Sequence, residues 1–500
     1  MPSTPTPDPR RWWILGALSL ALLVIGVDNT ILNVAIPTIE RDLGASTGAM
    51  QWIVDSYMLV FAGLLLTMGS LGDRFGRRRA LFTGLVLFGI SSTVAAFAES
   101  TDMLIAARAS MGIGGALIMP ATLSILMNVF PREEHAKAVG VWAAVFGLGV
   151  AVGPTGGGLL LEHFDWGAVF LVNIPIVAAA LLVGSRLIPE SRDPSTPPLD
   201  LPGAALSTLG LSTLVYGLIE APSKGWAAGS TLVAFAAAAA LLTAFVWREL
   251  TTEHPMLDVR LFRLPAFSAA SGSLALASFA LFGSIFFLTQ HMQGVLGYSP
   301  LEAGVRLLPI AGGMIVAAPL SAVVAGRFGT RFTVALGMTG VAAGLAVMAV
   351  ADAGNGYAPV ALSMVLLSSG MGLSMAPATE SVMSVLPLEK AGVGSAMNDT
   401  VRMVGGALGV AVLGSVLSTA YRGGMDDAPA AAQESVGAAL AAGRDGALAD
   451  QAIDAFVNGM HTTAIVAAAV ALSGAVLAGA FLPRRARPTA PALVAEPAAA

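Results

Sequence analysis

Gly69-Ser70-Leu71-Gly72-Asp73-Arg74-Phe75-Gly76-Arg77-Arg78-Arg79 is a short basic turn pinned between two long apolar runs. Its glycines allow close backbone approach and tight turning, and Asp73 offers a carboxylate to helix ends and guanidiniums. The arginines cannot readily cross a bilayer, so the turn belongs to one fixed side of a membrane. The flanking runs, about 20 residues each, suffice to cross a hydrocarbon core of roughly 30 Å as helices.

The rest of the chain has the same character. Of 500 residues, 56% are hydrophobic and 11% charged, with a mean hydropathy of +0.78. That excludes a soluble globule, and the short alternating strands of a β-barrel are absent. Zero cysteines exclude disulfides, thiolate metal sites and cysteine nucleophiles. The net charge of −5 decides little, because charge matters here by side. Lys137, Lys224 and Lys390 are the only lysines among 26 basic residues, which reads as a GC-rich bacterial genome. Arg10-Arg11 before an apolar run mimics a signal peptide, but Asp28, Asn29 and Asn33 follow instead of a small-x-small cleavage site. The segment reads as an uncleaved first span.

Fourteen spans emerge, the first at about residues 12–35 and the last at about 461–482. With the N-terminus placed inside, 19 basic residues fall in inside segments, including Arg10, Arg11, Arg74, Arg77, Arg78, Arg79, Arg132, Lys137 and Lys390. The outside segments hold Arg41, Lys224, Arg306, Arg422 and Arg444. This asymmetry sets both termini in the cytoplasm. The expected order is a tail at 1–11, a six-helix bundle at 12–188, a linker at 189–200 and two additional helices at 201–248. A linker at 249–265, a second six-helix bundle at 266–482 with an external loop at 421–458, and a tail at 483–500 complete it. Gly326-Arg327-Phe328-Gly329-Thr330-Arg331 is a degraded echo of the opening turn, placed where a parallel repeat puts it.

The opening turn resembles the loop signature between the second and third helices of the major facilitator superfamily. Other stretches resemble that superfamily's fourteen-span drug:proton antiporters. They are Asp28-Asn29-Thr30-Ile31-Leu32-Asn33-Val34-Ala35-Ile36-Pro37 in span one, Arg108 to Ala116 in span four, Gly149 to Gly158 in span five and Gly297 to Gly304 before span ten. The resemblance runs end to end in the correct order. It implies an all-α integral membrane fold, with two six-helix bundles related by a pseudo-twofold repeat and two inserted central helices. Two departures stand out. Phe164-Asp165-Trp166, ahead of Phe170, Asn173 and Pro175, lacks the family's basic residue, so no external arginine role carries over. The second-half echo has lost its aspartate, which implies a weaker gate there.

Asp28 lies about 16 residues into the rising first span, roughly 24 Å along the axis. Asp55 sits about one turn into the descending second span, and Arg108 reaches a similar depth in span four. Burial and a nearby guanidinium pull a carboxylate in opposite directions, which suits Asp28, Asp55 and Arg108 to proton coupling. The alternatives are a static Arg108–Asp28 partnership and an interfacial Asp55 beside Trp52 and Tyr57. Substrate-binding candidates are Asp28, Asp55, Asn33, Tyr57, Phe61, Trp142, Phe146, Phe286 and Asp399, with Phe282 and Phe287 able to add greasy wall. Asp399 is either a second cation site or a local salt bridge with Arg402 one turn away. Glu380 reads as interfacial, and Gln290 and His291 as the outer mouth of span nine.

Gly69, Gly72, Asp73, Arg74, Gly76, Arg77 and Arg78 form the expected gating loop. Gly149, Gly153, Pro154 and Gly157 form the expected antiporter motif, a small-residue face with a proline break. No lysine follows a glycine, so there is no phosphate-binding P-loop, and no HExxH-type cluster suggests a metal. The implied protein is not an enzyme and takes no cofactor. It is a monomeric exporter in the bacterial cytoplasmic membrane, whose partners are a small-molecule drug, protons and the lipid bilayer, with no nucleic acid. The expected activity is proton-coupled antiport of hydrophobic, cationic drugs by alternating access. Its rivals are a dedicated exporter of one endogenous metabolite and a non-transporting membrane sensor or scaffold.

Overall fold

The computed structural model describes residues 9–131, 134–192, 200–253, 255, 257, 259–351, 354, 356–383, 391–441 and 446–484. The outermost tails, most of the 189–200 linker, and Arg132, Lys390 and Arg444 lie outside the described residues.

The first bundle is built from α1 (Arg11–Leu43), α2 (Thr47–Phe75), α3 (Arg77–Ala96), α4 (Thr101–Val129), α5 (His135–His163) and α6 (Ala168–Leu187). Then come α7 (Leu201–Lys224) and α8 (Gly229–Thr251). The second bundle holds α9 (Pro265–Val295), α10 (Pro300–Phe328), α11 (Thr330–Met348), α12 (Tyr357–Met383), α13 (Met397–Gly424) and α14 (Ala447–Phe481). Thirteen of these are long and apolar enough to cross a membrane by length and composition. The fourteenth, α5, has 29 residues, about 43 Å at 1.5 Å each.

Local chemistry sets where the helices begin and end. Ser46 Oγ accepts the Ala49 N–H at 3.2 Å to start α2, and Ser299 and Glu302 form a reciprocal capping box at the start of α10. Gly76 ends α2 at φ 123° and Gly329 ends α10 at φ 90°. Both lie in the left-handed region that favours glycine, and both join the second helix of a bundle to its third.

The bundles also pack by one scheme. In the first, α1 lies on α5, α2 and α3 on α4, and α6 on α1 and α3. In the second, α9 lies on α13, α10 and α11 on α12, and α14 on α9 and α11. Close approach comes from small residues, as expected where lipid removes the hydrophobic drive between helices. A Cβ on Gly84 would meet the Gly114 carbonyl at 2.8 Å, and one on Gly344 the Ser363 carbonyl at 2.7 Å.

The two bundles are stitched together on the face away from the basic turn. Gln51 Nε2 on α2 donates to the α13 carbonyls of Val410 and Ala411 at 3.1 and 3.0 Å. Gln293 Nε2 on α9 donates to the α1 carbonyl of Val34 at 2.9 Å. Ser299 Oγ donates to Glu162 of α5 at 2.9 Å. Thr47 Oγ1 donates to the Glu434 carbonyl at 2.9 Å. Helix α7 bridges this seam: its Thr208 and Ile219 pack on Gly63 and Gly48 of α2, and its Leu218 carbonyl accepts Ser415 Oγ of α13 at 2.6 Å. Helix α8 packs on α7 and leaves most of its surface exposed.

The polar stretch before α14 is more helical than its composition suggests. Short helices span Ala430–Glu434 and Val436–Ala441, and α14 begins at Ala447. Alanine favours helix here, and Ala449, Ala452, Ala455 and Phe456 bury one face of the extension.

Candidate functional site

At the middle of the first bundle α1, α3, α4 and α6 converge on one carboxylate. Asp28 is fully buried, and Arg108 Nη1 donates to its Oδ2 at 2.6 Å, with side-chain exposures of 0% and 2%. Asn173 Nδ2 on α6 donates to the other oxygen, Oδ1, at 3.3 Å and to Ser92 Oγ on α3 at 3.1 Å. Ser92 Oγ in turn donates to the Phe170 carbonyl at 2.8 Å. Two ions withdrawn from water persist only when paired and hydrogen-bonded, which is the arrangement here.

Helix α2 supplies the bed for the guanidinium. Arg108 Nε donates to the Ile53 carbonyl at 3.2 Å, and its Cζ lies 4.4 Å from the Tyr57 ring centroid. Tyr57 leans on Phe61 with centroids 5.7 Å apart. Both rings are buried, as is Phe286. Trp142 and Phe146 are half-buried, with Trp142 Nε1 donating to Thr122 Oγ1 at 3.2 Å. Asn33 turns its amide back to the Asn29 and Thr30 carbonyls.

Asp55 is not brought to the Arg108 cluster. Both its oxygens are buried without a hydrogen-bond partner. Gln51, one turn earlier, reaches α13, and a Cβ on Gly406 of α13 would lie 3.5 Å from Met58 Sδ. Asp55 therefore lies on the α2 face turned to α13, at the seam between the bundles. Gln51 Oε1 is likewise buried and unpartnered.

The remaining candidates divide. Asp399 and Arg402 sit 3.7 Å apart as a local pair on α13. Gly149, Gly153 and Gly157 pack on α1 within their own bundle, whereas Gly158 meets Leu301 and Gly304 meets the Pro154 carbonyl across the seam. In the basic turn Asp73 accepts Arg77 Nε at 2.6 Å, the Arg78 N–H reaches Glu190 just after α6 and its Nη2 the Ser185 carbonyl in the last turn of α6, and Arg74 is exposed. Those contacts stay inside the first bundle. His291, at the outer end of α9, is buried and stacked 6.4 Å from Phe456 in a π-turn that closes the helix. Glu380 is exposed.

Asn173, Ser92 and Gln51 join the site without having been singled out as site residues. Asn173 carried a signal, its place in the F-x-x-N-x-P stretch; Ser92 and Gln51 carried none.

Two repeat-related bundles of membrane-length helices, the first with a buried acid–base pair at its middle, define a membrane transporter. Residues 18–410 match the model of the Major Facilitator Superfamily. The chain is 39% identical over 492 residues to the multidrug efflux pump LfrA of Mycolicibacterium smegmatis, covering 96% of this chain and 97% of the relative. It is 35% identical to the tetracenomycin C resistance and export protein of Streptomyces glaucescens, covering 96% and 93%. With the methyl viologen resistance protein SmvA of Salmonella typhimurium the identity is 36%, covering 82% and 83%. A solved bacterial homolog of the human lysosomal transporter Spinster, inward-facing and unoccupied, shares the fold at a TM-score of 0.68 and 19% identity, covering 97% of this chain and all of that one. The chain belongs to the Major Facilitator Superfamily; it is a transporter and not an enzyme.

Proposed function

We propose that this protein exports hydrophobic, cationic drugs across the bacterial cytoplasmic membrane in exchange for protons. The observation that carries the reading is a pair of buried carboxylates of unlike environment: Asp28 held by Arg108, and Asp55 without any partner. An intramembrane acid that nothing neutralises calls for a proton or a cationic ligand, and alternation between the two is exchange. The relatives named for multidrug efflux and for methyl viologen resistance support the substrate class.

In this reading the basic face is cytoplasmic, and the seam closed by Gln51, Gln293 and the glycine contacts is the outer gate. The structure then corresponds to a carrier closed to the outside. Asp28, Arg108 and Asn173 form the charge relay, Tyr57, Phe61, Trp142, Phe146 and Phe286 the apolar wall, and the Asp73 turn a hinge on the inner side. Exchange of one proton for one monovalent cation moves no net charge, so the pH difference alone drives it. Each further proton adds a charge that a membrane potential of roughly 150 mV drives with about 3.5 kcal/mol, roughly 300-fold in gradient.

A dedicated exporter of a single compound is the second reading, supported by the relative named for tetracenomycin C export. The test is a panel of lipophilic cations and neutral antibiotics added to inverted vesicles carrying an acid-inside pH gradient. Collapse of the gradient by several cations is expected. Collapse by one compound alone selects the second reading, and none at all sinks proton exchange.

A further inference from the structure

Gln51 and Asp55 stand one turn apart on the α2 face that meets α13, and three of their four side-chain acceptor and donor atoms are left over. Gln51 spends its amide Nε2 on Val410 and Ala411. Its Oε1 and both Asp55 oxygens are buried acceptors with no donor. Gly414 makes the notch that admits the glutamine, since a Cβ there would crowd the Gln51 side chain. Three buried acceptors in one place are costly unless a donor is supplied. One proton on Asp55 supplies it.

We infer that Gln51 is the clasp of the outer gate and that the proton on Asp55 sets it. A protonated Asp55 donates to Gln51 Oε1 at i−4, which leaves the amide Nε2 aimed at α13 and the gate shut. When Asp55 loses that proton, its carboxylate becomes a stronger acceptor than a peptide carbonyl, and the Gln51 amide turns to it. The α13 carbonyls then lose their cross-bundle donor and the seam is free to open. The direction fits exchange: the proton-loaded carrier is closed outside, and the carrier that has given up its proton for a drug opens outside.

Other charges near the seam are engaged except Glu40 at the outer end of α1, which is buried against Gly437 with its Oε1 unpartnered. A pH response that persists in Asp55→Asn therefore belongs to Glu40 and not to the clasp. Arg108 on α4 is held by Asp28 and the Ile53 carbonyl, and Asp399 with Arg402 pair on α13. Arg422 at the outer end of α13 pairs with Glu434, and Lys224 with Glu220 at the outer end of α7. None of these pairs includes Asp55. The clasp rests on the proton-exchange reading of Asp55 but names a residue and a gate that the reading does not require.

The natural absence of cysteine makes the test direct. Met58→Cys places a thiol on the same seam, and Asp426→Cys on the exposed outer loop serves as the control for folding and sidedness. Whole cells are treated with a membrane-impermeant maleimide, without substrate, at external pH 6 and 8. All rates are taken relative to Asp426→Cys at the same pH, because the thiolate that attacks the maleimide itself grows with pH. On that scale Met58→Cys should label faster at pH 8. Adding Asp55→Asn, whose neutral amide still donates to Gln51, should hold labelling slow at both values. Adding Gln51→Leu should raise labelling about tenfold, the worth of a net hydrogen bond, and make it indifferent to pH and to Asp55→Asn. Gln51→Met, of equal length, repeats the test where the leucine variant loses Asp426→Cys labelling. Unchanged labelling in both Gln51 variants, or a pH response that survives them, overturns the clasp. Vesicle proton exchange is scored separately, so exchange with an unaltered gate rejects the clasp alone, and an altered gate with no exchange rejects the antiport reading alone.

Discussion

Removing one partner of the Asp28–Arg108 pair should cost far more than removing both. The ions are 2.6 Å apart with 0% and 2% side-chain exposure, so neither can recover hydration when the other is lost. In Arg108→Met, Asp28 keeps only the Asn173 amide at 3.3 Å. In Asp28→Leu, the guanidinium keeps the Ile53 carbonyl and the Tyr57 face. Breaking a buried pair costs about 3–5 kcal/mol, whereas replacing both members by apolar groups of similar volume is close to neutral. Each single variant should therefore lose roughly two to three and a half powers of ten in its folding equilibrium. The double variant should return to within about 1 kcal/mol of the parent, giving an interaction energy of at least about 5 kcal/mol. Reversible denaturation in mixed detergent micelles, followed by tryptophan fluorescence, measures all four proteins. The double variant should be folded and inactive in transport. Additive single effects, with an interaction below about 0.5 kcal/mol, would show that the pair is not the joint structural unit described.

Asn173→Ala leaves Asp28 Oδ1 and Ser92 Oγ without their amide donor, so a loss of about 1–3 kcal/mol in the same denaturation is expected. No loss would place Asn173 outside the charge relay. Gly304→Ala drives a methyl into the Pro154 carbonyl across the α5–α10 contact, an overpacking cost of about 1–3 kcal/mol against the closed seam. Impermeant-maleimide labelling of Met58→Cys should rise severalfold, and a fall would contradict the placement of the outer gate. Gly76→Ala imposes a side chain at φ 123° beside Glu190, and a loss of at least about 1 kcal/mol should accompany weakened docking of the segment after α6. Proteolysis between α6 and α7 reports that docking, and unchanged cleavage would count against it.

The spans were legible because water and lipid sort residues crudely. Runs of about 20 apolar residues admit one reading, and an arginine-rich turn cannot hide in a bilayer. Asp28 and Arg108 were legible for the converse reason, being charges where charge is expensive. What sequence could not give is who faces whom. Asp28 meets Arg108 across 80 residues and Asn173 across 145, and Gln51 reaches Val410 across 359. Helix contacts in lipid are chosen by small-residue fit, as at Gly112 against Tyr57 and Gly405 against Ala275, and such fits leave no period in the chain. Asp55 illustrates the same limit. Its depth could be read, but that it turns from Arg108 toward α13 depends on the rotation of α2, which Ser56 fixes by bonding the Ile105 carbonyl of α4 at 3.2 Å.

The central claim is that a drug cation and a proton share this carboxylate system in turn. Purified protein in proteoliposomes, with a pH-sensitive dye inside and a lipophilic cation supplied on the basic face, tests it in one trace. Proton movement opposite to the cation and stoichiometric with its uptake is expected, abolished in Asp28→Asn while that variant still binds the cation. Cation flux with no proton counterflow, or full coupled flux in Asp28→Asn, would contradict it.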